Sequence, residues 1–150
     1  DTSGGTEEWR IALVAGYYPE LRLGDQSAAV SVTRVADAGI SPNVWTHLVF
    51  TYDGTGGADA MGTSGSVQDN ATLYVDGEVV ASTATDNGSY VAMENLGGLT
   101  GFGYRPASSP VQFFLGSVIG GPLGPFFTLK ELSPDEIRGL YDLGRAGLGL

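Results

Sequence analysis

The sequence predicts an all-β, two-sheet antiparallel β-sandwich with one short C-terminal α-helix. Three observations carry this. Runs of alternating apolar and polar residues recur from Trp9 onward, separated by turn-forming clusters. Two of these runs end in Asp-Gly, at Asp53-Gly54 and Asp76-Gly77, the strongest short hairpin signal. Helical spacing appears only once, in the tail.

In chain order, Glu8 to Ala15 reads as a first strand. Pro19 punctuates the chain after it, and Glu20-Leu21-Arg22-Leu23 alternates before a turn at Gly24-Asp25. Ala28 to Val35 is β-branched and alternating, a further strand. Asp37-Ala38-Gly39 and Ser41-Pro42-Asn43 lead into a strand from Trp45 to Tyr52, in which Leu48, Phe50 and Tyr52 read as the core-facing set. Asp53 to Asn70 is a polar loop of about 18 residues, long enough to be functional or mobile. Thr72 to Val75 then turns at Asp76-Gly77 and returns as Glu78 to Ser82, before a polar loop at Asp86 to Ser89. Leu96 to Tyr104 alternates glycine with apolar residues, Gln112 to Ile119 reads as a strand, and Phe126 to Thr128 as a last short one. The tail has Ser133 at the N-cap, Pro134 at N1 and Glu136 at N3, a capping box. Ile137, Leu140 and Tyr141 lie at helical spacing, and Gly144 is the expected stop.

A chain of 150 residues with 42% hydrophobic content fits one domain, 1–150, with a real core. Only 16% of residues are charged, and 17 acids against 7 bases give −10. That surface disfavours nucleic acid and anionic membranes and suits divalent cations or neutral partners. No stretch approaches the roughly 18 apolar residues of a spanning helix, so membrane insertion is not expected. The absence of cysteine removes disulfides, thiolate metal sites and a cysteine nucleophile. The first residues, Asp1 to Thr6, are no signal peptide and lack a Met, which reads as a processed product or part of a larger chain or assembly.

The run Trp45-Thr46-His47-Leu48-Val49-Phe50-Thr51-Tyr52-Asp53-Gly54, answered by Leu73-Tyr74-Val75-Asp76-Gly77-Glu78-Val79-Val80-Ala81, resembles the laminin G-like, concanavalin A-like lectin domain, a jelly roll. Phe114-Leu115-Gly116-Ser117-Val118-Ile119-Gly120 is similar to that family's closing strand, and the capped helix to its terminal element. The resemblance covers about Trp9 to Gly144. It departs at Gly120-Gly121, where relatives often carry Asp-Glu, and in the few strands before Trp45, so one or two N-terminal strands would be trimmed away or come from elsewhere. The resemblance implies a non-catalytic recognition module binding glycans or another extracellular surface through its loops. The setting would be extracellular or secreted. The alternative is a structural or decoration domain of a virion or cell-surface assembly, built for adhesion and protein contacts.

Chemistry selects the candidate residues. Tyr17, Tyr18, Tyr90 and Tyr104 (with Phe102) adjoin turns, where a ring can stack on a sugar and a hydroxyl can reach its oxygens. Asp53, Asp69, Asn70 and Asp86 (with Asp59 and Asn87) offer hard oxygens for Ca²⁺, the candidate cofactor, although at turns Asp also bonds its own backbone. Trp45 and His47 read as packing residues. The lone histidine has no second ligand for zinc and no nucleophile elbow. No strand carries the Glu-x-Asp-x-x-Glu pattern of a sandwich glycosidase, so no catalytic residue is assigned.

Overall fold

A computed structural model describes residues 8–65, 69–94, 104–105, 112–113, 128 and 130–149 of the chain. Four strands form the first sheet, in the order β1-β2-β3-β7: β1 (Trp9–Val14), β2 (Tyr18–Asp25), β3 (Val30–Ala36) and β7 (Ser82–Thr85). A second sheet is ordered β4-β5-β6, from β4 (Leu48–Tyr52), β5 (Ala71–Val75) and β6 (Glu78–Val79). A two-residue pair joins β8 (Tyr104–Arg105) to β9 (Gln112–Phe113), and α1 (Pro134–Leu148) closes the chain. Every pairing is antiparallel.

Register explains which residues face inward. Leu23 pairs with Val32 and Leu21 with Arg34, while Phe50 pairs with Leu73 across the second sheet. Leu21, Leu23 and Val32 of one sheet and Ala71 of the other lie in one buried cluster, against which Phe50, Tyr52 and Trp9 pack. The two sheets thus enclose a common core, as the alternation predicts. β2 continues through Pro19. Its ladder with β3 begins only at Glu20, so the missing N–H lies outside that pairing.

One inward position of β3 is not apolar. Arg34 is 0% exposed, where the alternation calls for a hydrophobe. Its Nε donates to Ser82 Oγ (2.7 Å), and its Nη atoms donate to the carbonyls of Met61 and Thr63. The long loop after β4 therefore comes back over the core, where Ala60 and Met61 are buried. It then runs beside β7, with Gly65 N donating to Ser82 O (2.8 Å). The expected polar loop is real, but its middle is core.

The helix begins as its capping box requires: Glu136 N donates to Ser133 Oγ, and Ser133 N to the Glu136 carboxylate. It does not stop at Gly144 but runs to Leu148 and ends at Gly149, whose left-handed φ of 71° forms the C-cap. The strand expected from Trp45 starts at Leu48, because pairing to β5 begins at Leu48↔Val75. The readings on Leu96 to Gly103, Phe114 to Gly120 and Phe126-Phe127 lie outside the described residues, and Thr128 is not in a strand.

Candidate functional site: the two loop ends

Strand direction sorts the loops into two groups. One end gathers the turn after β2, the loop after β4 and the segment after β7. The opposite end gathers the β1–β2 turn, the connection from β3 to β4 and the Asp76-Gly77 turn. The candidate metal residues Asp53, Asp69, Asn70 and Asp86 all belong to the first end, and Tyr17 and Tyr18 to the second.

At the first end carboxylates bind backbone. Asp25 is buried and accepts from Ala28 N (3.0 Å), Ser27 Oγ (2.9 Å) and Val91 N (3.0 Å), tying two loops together. Those backbone donors hold its carboxyl below the usual range, and donors at Thr63 and Asn70 do the same for Asp69. Asp86 accepts from Met61 N (2.9 Å), and Asp53 from Thr55 N (2.7 Å). Asn70 Nδ2 donates to Asp59 O (2.8 Å). No group of three His, Cys, Asp or Glu side chains converges among the described residues. Gly56 sits so close to Val91 O that a Cβ would lie 2.3 Å from it. Tyr90, expected as an exposed ring, is 1% exposed and belongs to the core, because the segment after β7 folds inward over Leu23 and Tyr52. Burial pushes its hydroxyl up, and that of Tyr52 as well.

The second end is different in kind. Tyr17 N closes the β1–β2 turn on Val14 O (2.9 Å), and Ile40 N donates to Tyr17 O (3.0 Å), so the turn and the β3–β4 connection are locked together. Gly39 allows this approach; a Cβ there would lie 2.4 Å from Gly16 O. Tyr17 holds φ at 63° and is 52% exposed, and Asn43 holds φ at 62°. Trp45, read as a packing residue, is 50% exposed, since it precedes the ladder that would have turned it inward. Tyr18 is half-buried. For Tyr104 only its place in β8 is described, and Phe102 lies outside the described residues.

His47 lies beside this end, against the helix. Its N donates to Asp76 Oδ1 (2.9 Å), and its ring sits 6.0 Å from that of Tyr141. The guanidinium groups of Arg138 and Arg145 lie 5.4 and 5.7 Å from the Tyr141 centroid, and Arg138 also bonds Glu78. Burial lowers the His47 pKa, opposed by the charge of Asp76. A groove of about 440 Å³ runs between β5 and the entry to α1, lined by Asp69, Thr72, Tyr74 and residues 130–134 and 136. The Lys130–Glu136 ion pair (2.7 Å) occupies one wall.

Asp25, Arg34 and the exposed Trp45 escaped the site reading of the sequence. A signal existed for Arg34, since a charge at an inward position of an alternating strand needs buried partners. None existed for Trp45, whose exposure depends on where pairing starts.

Two antiparallel sheets around one core, with loops gathered at both ends, define a jelly-roll type of β-sandwich. The laminin G type model of the concanavalin A-like lectin/glucanases superfamily matches residues 1–118, and the chain belongs to that family. No curated protein and no solved structure matches it. The superfamily name covers both carbohydrate binding and carbohydrate cleavage. Among the described residues no helix is long and apolar enough to cross a membrane.

Proposed function

We propose that the domain is a non-catalytic recognition module that binds glycans or another extracellular surface through its loops. The observation that carries this is that the loop carboxylates Asp25, Asp53, Asp69 and Asp86 each accept a hydrogen bond from loop backbone N–H groups. Cleaving a glycosidic bond requires a carboxylic acid whose pKa is raised, near a second carboxylate. Asp25, Asp69 and Glu136 are all displaced downward, Glu136 to about 2, because each accepts hydrogen bonds that favour its charge. Asp25 and Asp69 fix loops in place and Glu136 caps α1, and all three are poor proton donors at neutral pH. Fixed loops with exposed rings suit binding without chemistry.

A second reading, a structural domain of a virion or cell-surface assembly, is supported by exposed Leu143 and Leu148 on α1, which a sugar-binding site does not need. A glycan array probed with and without EDTA, paired with an assay for newly released reducing ends, decides between them. The recognition reading expects retention on at least one glycan and no release. Loss of retention in EDTA would assign the site to the acidic end and to Ca²⁺. Silence in both conditions would sink the glycan-binding reading and favour the structural one.

A further inference from the structure

We propose that the recognition site is the Tyr17–Trp45 end and that its ligand is an uncharged oligosaccharide held without a metal ion. This rests on the recognition reading above and names its surface and ligand class.

The argument starts from charge. In a chain of net charge −10, residues 15–18 and 38–46 hold no Asp, Glu, Lys, Arg or His. Topology brings these two segments to one end, where the Ile40-to-Tyr17 hydrogen bond joins them, while the charges of the neighbouring Asp76-Gly77 turn are engaged, Asp76 with His47 N and Glu78 with Arg138. An ionic ligand would find no counter-charge on either segment. What they do present is two half-exposed rings, Tyr17 and Trp45, with exposed Ser41 and Asn43 and the half-buried Thr46. Flat rings match the apolar faces of pyranoses, and hydroxyl and amide groups match their rims.

The backbone supplies the second observation. Tyr17 sits in the left-handed region, which costs a bulky residue about 1–2 kcal/mol. Asn43, two residues before Trp45, is left-handed as well. Folding alone would be served better by glycine at position 17. The locked turn fixes the backbone that carries the half-exposed ring, which lowers the entropic cost of binding. The other end has exposed apolar Val91 and Met93, but it is ringed by carboxylates and shows no exposed aromatic ring among its described residues.

The test is calorimetry in EDTA with cellohexaose, laminarihexaose and mannohexaose, and a heparin hexasaccharide as the anionic control. Wild type is compared with Tyr17→Gly, Trp45→Ala, Trp45→Phe and, at the opposite end, Val91→Ser. Tyr17→Gly removes the ring together with the unfavourable φ, so that variant folds. The expected result is binding of at least one uncharged hexasaccharide and none of heparin. Tyr17→Gly and Trp45→Ala should each weaken binding about tenfold, with Val91→Ser at wild-type affinity. Trp45→Phe should keep most of the affinity and lose the ligand-induced change in tryptophan fluorescence, since Trp9 is the only other tryptophan. Wild-type binding that survives both ring deletions overturns the site and leaves the recognition reading standing. Silence of wild type toward all three uncharged sugars overturns the ligand class. If the full array is silent too, the recognition reading falls with it and the end is left to a protein partner.

Discussion

Arg34 is the residue on which the loop after β4 depends. Its guanidinium is fully enclosed, and burial pulls its pKa down while the charges of Asp69, Asp86 and Asp37 oppose that pull. Removing it strands Ser82 Oγ and two loop carbonyls and opens a cavity beneath Met61. Arg34→Ala should therefore cost about 3–5 kcal/mol in chemical denaturation. Arg34→Met refills the volume without the donors and should cost less, although amides of residues 62–65 should exchange faster in both. Tyr17 predicts the opposite sign. Tyr17→Gly relieves a left-handed φ at an exposed position and should raise stability by about 0.5–1 kcal/mol, read from the same denaturation curves. A loss of stability would mean that the ring packs on its neighbours instead of standing free for a ligand.

Helix α1 is held by its cap, by the fully buried Ile137 and by one cluster of rings and cations. Ser133→Ala removes the acceptor for Glu136 N and should cost about 1 kcal/mol, with fraying of the first turn visible by hydrogen exchange. The docking face is sensitive to acid. His47 lies between Asp76 and Tyr141, with Arg138 and Arg145 around the same ring, so a proton on the imidazole adds a cation to two already there. Its folded pKa is below the free value of 6.5. The stabilisation from neutral His47 is therefore fully present above 6.5 and is lost as pH falls through the folded pKa. Protection of α1 amides should decline as pH falls below 6.5, and His47→Gln should flatten that decline. The helix was legible in the sequence because capping and spacing are local. Its end was not, since Gly144 is as good a stop signal as Gly149 until the chain beyond is seen to stay helical. Three strands of the first sheet were legible from alternation, but β7 was not, because the return from the Asp76-Gly77 turn reads as one strand ending at Ser82, whereas the chain leaves β6 at Val79 and joins the other sheet at Ser82. The burial of Tyr90 and the exposure of Trp45 were not, because both depend on contacts between segments distant in the chain, Tyr90 with Leu23 and Tyr52, and Trp45 with the register of β4 on β5.

At the scale of the molecule, the carboxylate-rich loops and the two uncharged segments lie at opposite ends, which makes them separable. The carboxylates of Asp25 and Asp69 have folded pKa values below 3.8, so their hold on the loops is complete above 3.8 and is lost as pH falls through the lower folded values. Nothing at the Tyr17–Trp45 end shares those contacts. Asp25→Asn, which places a donor where Val91 N or Ala28 N now donates, should speed exchange at both loops it ties while leaving oligosaccharide affinity unchanged. Ionic strength gives the sharper separation. A ligand that pairs with charges on a molecule of net charge −10 must respond to screening, whose length falls from about 30 Å at 0.01 M to about 3 Å at 1 M. An uncharged ligand held by rings, hydroxyls and amides has no such dependence. The dissociation constant for the best hexasaccharide should therefore stay within about twofold across that range, and a steep slope of log affinity against log salt would place the ligand among the acidic loops instead.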